Sequence, residues 1–578
     1  MVIPQGMAYG MLAGVPVEYG LYSSMFPPLL YMFFGEASHL SLGTNAPISI
    51  LVADSISSAV PTDTTCGDDP TSEDCDTIVQ ATLTLSVMCG FLYFIFYVCR
   101  FGVVTAFVPD PVLAGFTTGA SVIIMTSNMK HVFGFPVPNG TVVSQWTYIL
   151  KHLNETNLAA LAIFSLAFFT LFAIKNLNGK LASVNKLPMG VPIPEQLVVL
   201  LLAIAAAYIW KIDTPIVGTV PSGLYEPRLP DFDWELVGKL VKPSIVCSVV
   251  TYILTVNISK ALGDTFGYAI DPDQEFIANS VCAIVGGLTG SFLPSGSFSR
   301  SALVGEISPK GSHAHNLITT ILIIVVLLWF TPLLFYMPKA IMASIIFAAL
   351  KNMIKLQTGL KLWRVSKEDF GLFGIAFTST ALLGVTYGIG ISIVSAVVLL
   401  VKNSSRPTTS TLGRLGDTDI YRDVKSFPKA KEIEGVKIFK IDSDLNFANK
   451  DYFEAKLDKL STRTSFKIHV LILDCASVNR IDTTSISMLM RRIEKYQKQD
   501  VTLLLANWKG GDKMRKVLLG MSFFDLCDEG KFFLSLPAAV TKGVEIVAEA
   551  KKMANMGKMG VGKELAVVSE SSGGDNYL

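Results

Sequence analysis

Long apolar segments, separated by short polar stretches, fill roughly the first 400 residues of the chain. A helix that crosses a bilayer needs about 20 mostly apolar residues, and many of these segments approach that length. With short half-helices included, the pattern predicts an α-helical polytopic membrane protein of about 14 segments. We also expect a break within the segment at 101–135, at Pro109-Asp110-Pro111 and at the small-residue run 115–121. The apolar segments cover residues 1–13, 19–34, 50–59, 78–98, 101–135, 158–174, 191–210, 243–262, 276–288, 317–335, 340–350, 370–383 and 387–401.

Two stretches rich in glycine, proline and serine interrupt the apolar pattern, one in each half of the membrane region. They are residues 40–47 (LSLGTNAP) and residues 290–301 (GSFLPSGSFSRS). Irregular backbone at membrane depth is tolerated only where protein buries it or where it lines a wet cavity. Paired interruptions are typical of transporters with a midplane site between inverted repeats, here two repeats of seven segments each.

Arg300 stands at the start of the short helix predicted over residues 299–304. An arginine inside a membrane segment is costly and marks a functional site by default. A helix N-terminus attracts anions, and the guanidinium would add a full positive charge there. These features predict half of an anion site. The alternative is a topogenic charge at a helix end, with its side chain reaching the lipid headgroups.

The composition agrees with a membrane protein, because 51% of the residues are hydrophobic, 16% are charged and the mean hydropathy is +0.48. Soluble chains carry about 25% charged residues. Lysine and arginine gather in one set of loops, most densely at 351–367, which places those loops in the cytosol and the acidic loop at 61–76 outside. Since the chain starts within an apolar segment, we expect it to lack a cytosolic N-terminus and part of its first helix.

The acidic outer loop contains Cys66 and Cys75, nine residues apart. Outside the cell this spacing favours a disulfide, and two free thiols are the alternative. Asn139 and Asn154 begin glycosylation sequons in the next outer loop. The eight cysteines show neither Cys-x-x-Cys pairs nor Cys/His metal spacing, so no metal site is predicted.

The last 170 or so residues have an ordinary soluble composition and alternate short apolar runs with helical patterns. Strands are predicted at 436–441, 469–473, 501–505 and 532–534, and helices at 450–460, 485–499, 512–519 and 538–551. This alternation indicates a small α/β domain. The predicted organisation is a transmembrane domain at 1–402, a linker at 403–434, an α/β domain at 435–551 and a disordered tail at 552–578.

Six short motifs, given below in chain order, together resemble those of the SLC26/SulP anion transporters. The motif at 473–485 resembles the strand–turn–helix signature of their C-terminal STAS domain. The resemblance covers nearly the whole chain and implies core and gate domains, a homodimer and a cytosolic STAS domain. The motifs are residues 3–9 (IPQGMAY), 20–24 (GLYSS), 41–44 (SLGT), 271–275 (DPDQE), 296–301 (GSFSRS) and 473–485 (LDCASVNRIDTTS).

The resemblance also implies an anion site between the half-helices of the third and tenth segments. Gln5 and Ser299 would donate hydrogen bonds, Arg300 would supply the charge, and Tyr9 would wall the cavity. The half-helix N-termini would add partial positive charge. Asp271 and Glu275 match a family loop motif and are expected to have a structural capping role. The implied substrate-binding residues are Gln5, Tyr9, Asn45, Phe298, Ser299 and Arg300.

Two positions depart from the family pattern. Animal relatives commonly carry phenylalanine where this chain has Asn45, and we expect the amide to donate and to favour a more hydrated or oxygen-rich anion. Many coupled members carry an acid in the eighth segment, where this chain has Leu254 and no acid between Pro243 and Leu262. The second departure weakens the interpretation of the protein as a proton-coupled symporter and favours exchange or uncoupled anion flux.

Bacterial relatives of the STAS domain carry a phosphorylatable serine after an aspartate. The corresponding stretch here is Asp482-Thr483-Thr484-Ser485, so Thr483 and Ser485 are candidate phosphorylation sites. The alternative is that Asp482 simply caps the N-terminus of the following helix.

These observations predict a secondary active anion exchanger of the plasma membrane that works by alternating access. Its substrates would be sulfate, chloride, bicarbonate or a small carboxylate such as oxalate, and its other partners the lipid bilayer and a second copy of the chain. No nucleic acid and no cofactor are expected, and the lack of a catalytic triad or phosphate loop excludes an enzyme. Two alternatives stay open: a channel-like chloride conductance, and a voltage-driven motor of the prestin type, against which Asn45 argues.

Overall fold

The computed structural model describes two compact units, Met1–Val397 and Val398–Leu578. The division lies close to the boundary at residue 402 predicted from the sequence. The described residues are 1–60, 66, 72–102, 108–138, 140–183, 193–210, 214–227, 229–230, 233–351, 353–462, 466–509 and 511–570.

The first unit is helical, with a π-helical turn at Val326–Phe330. Among the described residues, six helices are long and apolar enough to cross a membrane, and the shorter apolar helices between them are consistent with about 14 segments. The helices are α1 (Val2–Leu12), α2 (Val17–Tyr22), α3 (Phe26–Phe34), α4 (Ala46–Ala59), α5 (Glu73–Val98), α6 (Asp110–Phe133), α7 (Val142–Lys151), α8 (Leu158–Ser183), α9 (Glu195–Trp210), α10 (Trp234–Phe266), α11 (Pro272–Leu288), α12 (Phe298–Ile307), α13 (Ala314–Val325), α14 (Thr331–Leu334), α15 (Lys339–Leu350), α16 (Leu356–Val365), α17 (Lys367–Leu383) and α18 (Val385–Ser405).

Both predicted interruptions of the apolar pattern are present. Each contains a two-residue strand, β1 (Leu42–Gly43) and β2 (Ser295–Gly296), and the strands pair antiparallel with Leu42 opposite Gly296. The half-helices α4 and α12 begin two or three residues after these strands. The two interrupted segments therefore meet inside the unit, as expected for a site between repeats.

The structure differs from the predicted apolar segments in two places. The segment at 19–34 forms two helices, because Pro27 and Pro28 occupy the first turn of α3, where proline is tolerated but cannot continue a preceding helix. The helices α7 and α16 were not predicted, since both are short and mix apolar with polar residues. A search for long apolar runs does not detect such helices.

The predicted break at the small-residue run 115–121 is wrong, whereas α6 does begin at the proline pair before it. The run lies within α6 and packs against α17. A Cβ atom added to Gly119 would lie 2.8 Å from the backbone oxygen of Phe377 and 2.8 Å from the Cβ of Thr380. Small residues let two membrane helices approach closely, so the run is a packing surface.

The second unit is an α/β domain built on a mixed sheet with the strand order β4-β3-β6-β7-β8-β9, with β5 paired to β3. The strands β6 to β9 are parallel, and β3 is antiparallel to β6. The apolar residues form two clusters of buried side chains, one of which includes α19 and α20 and the other α23. The elements are β3 (Thr409–Leu415), β4 (Tyr421–Asp423), β5 (Ala430–Lys431), β6 (Val436–Ile441), α19 (Lys450–Thr462), β7 (Val470–Asp474), α20 (Thr483–Gln497), β8 (Thr502–Ala506), α21 (Asp512–Gly520), α22 (Phe523–Leu526), β9 (Phe532–Phe533) and α23 (Leu536–Glu570).

The second unit also differs from the predicted organisation at both of its ends. The stretch at 403–434, predicted as a linker, contributes β3, β4 and β5 to the sheet. Its strands were missed because β3 is mostly polar and buries only Leu412 and Gly413. At the other end the backbone of α23 continues past Lys551 to Glu570, through a stretch that contains many strong helix formers. Residues 571–578 of the predicted tail lie outside the described residues.

Replacement of Gly119 by alanine is expected to lower the thermal unfolding midpoint of the purified protein. Alanine is the better helix former by about 1 kcal/mol, but overlap with the backbone of α17 costs roughly 1–3 kcal/mol. Gly374→Ala on α17 is the matched control, because a Cβ there meets no atom within 4 Å and the midpoint should stay or rise. Equal midpoints for the two variants would show that the contact between α6 and α17 is looser than described.

Candidate functional site

The half-helices α4 and α12 begin on either side of the crossing formed by β1 and β2. Asn45 precedes α4 and Ser297 precedes α12, and neither side chain caps its own helix. The first N–H groups of a helix have no partner within the helix, and they carry its partial positive charge. The crossing thus brings two helix N-termini toward one region of the first unit.

Arg300 lies at the third position of α12 and is almost fully buried, with 3% of its surface exposed. Its guanidinium donates three hydrogen bonds: Nε to Ser41 Oγ at 3.1 Å, Nη1 to the Thr44 backbone oxygen at 2.9 Å, and Nη1 to Gln5 Oε1 at 3.3 Å. These acceptors belong to α1 and to the residues on either side of β1. The guanidinium is therefore fixed in one orientation.

The remaining nitrogen of Arg300, Nη2, is buried without a hydrogen-bond partner. Within the described part of the chain, no carboxylate forms an ion pair with Arg300. A buried charge is stable only when it is paired or hydrogen-bonded, so an unpartnered N–H on a buried cation indicates a place for an anion.

Gly43 keeps the backbone of β1 close to this nitrogen. Its φ of +141° lies in a region that side chains disfavour, and a Cβ atom there would lie 3.4 Å from Arg300 Nη2. Glycine therefore allows the strand to turn and leaves the space beside Nη2 free of a side chain.

Gln5 and Tyr9 both lie on α1, one helical turn apart, and both are buried. The Gln5 amide oxygen accepts from Arg300, which leaves the Nε2 group of the amide as its donor. Tyr9 is close enough to Arg300 for the two groups to interact electrostatically. The structure thus brings three of the predicted residues together, and their roles toward an anion stay predictions.

Asn45 bridges the two interrupted segments. Its Nδ2 donates to the backbone oxygen of Gly296 at 2.7 Å, so at least one of its two N–H groups is bound by the protein itself. This contact was not foreseen, because the expectation was that the amide would donate to an anion. Asn45 is a link between β2 and the start of α4.

The other two predicted residues open α12. Ser299 is half-buried, and its Oγ lies 3.5 Å from that of Ser297, which is at the limit of a hydrogen bond. Its hydroxyl is therefore available to a ligand. Phe298 is 58% exposed, so the described residues do not enclose its ring.

Four polar residues of the crossing were not predicted as site residues. Ser41 and Thr44 accept from Arg300, and Ser301 Oγ accepts from the Ser41 N–H at 2.9 Å. Thr255 Oγ1 on α10 accepts from the Gly296 N–H at 3.1 Å. Thr255 belongs to a buried stripe of polar residues with helical spacing. This spacing is the feature of the sequence from which Thr255 could have been predicted to face the interior. The stripe consists of Ser244, Ser248, Thr251, Thr255 and Ser259.

The loop motif before α11 has the expected structural role in part. Asp271 caps α11 by accepting from the Asp273 N–H at 2.9 Å. Glu275 is fully buried, and it accepts from the Tyr31 hydroxyl at 2.8 Å and from the Glu36 N–H at 3.2 Å. It therefore fixes the turn after α3 and does not cap its own helix.

Two outer-loop predictions fall partly within the described residues. Cys66 and Cys75 are joined in a disulfide. Asn154 lies in a short 3-10 helix, Leu153–Glu155, and is exposed, as a glycosylated residue must be. Asn139 lies outside the described residues. Glycosylation stays a prediction at both positions.

In the second unit, Asp482 has the helix-capping geometry. Its Oδ1 accepts from the Ser485 N–H at 2.7 Å, and its Oδ2 accepts from the Phe447 N–H at 2.6 Å. The Ser485 side chain is fully buried, so a kinase could not reach its hydroxyl without local opening. Thr483 is exposed, and its phosphorylation stays a prediction.

Comparison with known proteins decides the family. The model of the sulfate permease family matches residues 1–376, and that of the STAS domain matches residues 427–539. The chain belongs to the sulfate permease family. It is a multi-pass membrane protein with a STAS domain, and its relatives are anion transporters and not enzymes.

Individual relatives agree with this family membership. Solute carrier family 26 member 6 from Homo sapiens is 32% identical over 484 residues, which are 82% of this chain and 62% of that protein. Prestin from Danio rerio is 30% identical over 470 residues, 78% of this chain and 62% of that protein. The chain thus spans about 62% of the length of these curated relatives. The structure of the murine Solute Carrier 26 family member A9 anion transporter in the inward-facing state matches with 27% identity and a TM-score of 0.85, over 94% of this chain and 89% of that one.

Replacement of Asn45 and of Ser299 by alanine should show which of the two side chains links the interrupted segments. Asn45→Ala removes the bond to Gly296 and is expected to cost about 1 kcal/mol of stability, seen as a lower thermal unfolding midpoint. Ser299→Ala removes no strong bond within the protein and should leave the midpoint unchanged. The reverse order of midpoints would contradict the assignment of Asn45 as the link.

Proposed function

We propose that this protein is a secondary active anion exchanger whose substrate binds beside Arg300 at the crossing of β1 and β2. The observation that carries the proposal is the Nη2 group of Arg300, which is buried and has no hydrogen-bond partner. In addition, no carboxylate among the described residues forms an ion pair with Arg300. An anion in this position would accept from Nη2 and neutralise the guanidinium.

The surroundings of Arg300 supply further attraction for an anion. A hydrogen bond that involves a charged group contributes about 1.5–3 kcal/mol. The N-termini of α4 and α12 each add about half a positive charge. The Ser299 hydroxyl and the Gln5 amide group are additional donors. Such a site suits sulfate, chloride, bicarbonate or a small carboxylate such as oxalate, and these are the proposed substrates.

The absence of an acid from the middle of α10, between Pro243 and Leu262, favours exchange over proton-coupled symport. The position where coupled relatives carry an acid is Leu254, and no acid lies between Pro243 and Leu262. The next residue, Thr255, bonds the backbone of β2. The helix next to the crossing thus has no group there that would take up a proton with the substrate.

We propose further that the protein is a homodimer in the plasma membrane with its STAS domain in the cytosol. Positively charged residues favour the cytosolic side of a membrane. The end of α18, which leads to the STAS domain, carries the cations Lys402 and Arg406, and the stretch at 351–367 is also basic, so we place both in the cytosol. The homodimer rests on the family resemblance.

Replacement of Arg300 by glutamine is expected to abolish stabilisation by sulfate without unfolding the protein. A ligand at 100 times its Kd stabilises the folded state by about 2.7 kcal/mol, so sulfate should raise the thermal unfolding midpoint of the wild type. The variant loses the three hydrogen bonds of the guanidinium as well as its buried charge, so the readout is the shift that sulfate causes in each protein and not the absolute midpoint. The midpoint of the variant should not respond to sulfate.

Arg406→Gln is the matched control for Arg300→Gln. Arg406 is exposed, and its variant should keep the full response to sulfate. Loss of the response in both variants, or its survival in Arg300→Gln, would place the anion elsewhere.

Transport assays in proteoliposomes distinguish exchange from channel-like flux. Uptake of radiolabelled sulfate should rise several-fold when the vesicles contain chloride, bicarbonate or unlabelled sulfate. The reason is that the binding site of an exchanger returns to the outer side fastest when it carries an anion from inside the vesicle. The Arg300→Gln variant should lose this stimulated uptake. An anion current with no acceleration from the opposite side would favour the conductance over the exchanger.

A further inference from the structure

The helix α16 is amphipathic, and one of its apolar faces is uncovered. Leu356, Leu360 and Trp363 are spaced four and three residues apart, so they share one face of the helix. Their exposed fractions are 56%, 66% and 51%. The helix has ten residues, which is too short to cross a bilayer. It connects the apolar helices α15 and α17, so it must lie near the end of both.

The way α16 packs fixes which side is uncovered. Gly359 is its buried position, and a Cβ atom there would lie 2.7 Å from the ring of Phe373 on α17. The close approach at this glycine holds α16 against α17. Trp363 lies at the border of this contact, because its ring packs edge-on against the ring of Phe370 on α17 with 4.7 Å between the ring centres, yet it stays about half exposed. Leu356 and Leu360 are more than half exposed and continue the apolar face beyond the contact.

Five cations surround this face, and we call them the α16 basic cluster: Lys351, Lys355, Lys361, Arg364 and Lys367. All five are exposed, and none forms an ion pair within the described residues. The two acids that follow, Glu368 and Asp369, leave an excess of three positive charges over residues 351–369. An unpaired cluster of this sign attracts an anionic surface.

Two of these cations lie on aromatic rings at the same end of the unit. Lys367 Nζ is 3.5 Å from the centre of the Trp363 ring, and Lys351 Nζ is 4.2 Å from the centre of the Phe172 ring on α8. Tryptophan prefers the membrane–water interface, where its ring meets the acyl chains and its polar edge meets the headgroups. The charge of the cluster is thus next to the apolar face of α16.

We propose that α16 lies in the membrane–water interface and that the α16 basic cluster binds the headgroups of anionic phospholipids. Leu356, Leu360 and Trp363 enter the acyl region, and the cations contact the phosphates. A soluble phosphate would neutralise the cations but leave the apolar face in water, so the lipid is the better partner. The site is separate from Arg300 and independent of the proposed transport function.

Energy transfer to labelled lipids tests this proposal on the full chain. A donor fluorophore is attached at Gln357→Cys, in a protein whose exposed Cys99 has been replaced by serine. The protein is reconstituted in phosphatidylcholine vesicles that contain a trace of acceptor-labelled phosphatidylserine or acceptor-labelled phosphatidylcholine. Transfer to the anionic lipid should exceed transfer to the zwitterionic lipid, and high salt should reduce the difference.

Two comparisons make the result specific to the α16 basic cluster. A donor on the native Cys99, which lies beside the single cation Arg100, should show little preference between the two lipids. Lys361→Gln with Arg364→Gln should bring the preference at position 357 close to that at Cys99, because each cation near an anionic surface changes lipid affinity about fivefold. Lys498→Gln with Lys516→Gln in the second unit is the charge-matched control and should leave the preference unchanged.

The opposite results would overturn the proposal. They are an equal preference at positions 357 and 99, or a preference at 357 that survives the loss of Lys361 and Arg364. Loss of the preference on addition of inorganic phosphate at constant ionic strength would assign the cluster to a soluble anion instead of a lipid.

Discussion

The buried guanidinium of Arg300 is the group on which the arrangement of the first unit depends. It joins α12 to α1 and to the residues on either side of β1 through three hydrogen bonds, and one nitrogen remains without a partner. Removal of a charge from water costs several kcal/mol, and hydrogen bonds to neutral oxygens offset only part of that cost. The fold therefore keeps a positive charge that is fixed in position and incompletely satisfied, which are the two properties an anion site needs.

Ser41 links the two interrupted segments through three hydrogen bonds. Its Oγ accepts from Arg300, its N–H donates to Ser301 Oγ, and its backbone oxygen accepts from the Ser297 N–H at 3.1 Å. Asn45 and Thr255 add bonds from either side to Gly296. These hydrogen bonds tie the two half-helices to each other through residues that are far apart in the chain. In the transport cycle proposed above, the crossing would move as a whole against the remaining helices, and the geometry around the proposed anion would stay the same.

The sequence predicts the parts of this site that depend on local chemistry. Glycine and proline mark both interruptions, and Arg300 stands out because charge is rare in apolar segments. The register of β1 with β2 and the bond from Asn45 to Gly296 are contacts between residues about 250 positions apart, and no local pattern encodes them. The same limit explains the run at 115–121, where glycine indicates either a break or close packing, and only the position of α17 decides between them.

Arg300 and the α16 basic cluster attract negative charge by different physical means. A charge in the protein interior acts through a low effective dielectric, so one guanidinium with two helix N-termini is sufficient for an anion site. The cations of α16 are exposed, and water and salt weaken each of them, so several must act together, with apolar contacts to hold the partner. Burial thus separates the proposed site for one small anion from the proposed surface for many headgroups. The same difference explains why the proposed anion site would need the paired interruptions of the chain, whereas the proposed lipid surface would need only a short amphipathic helix.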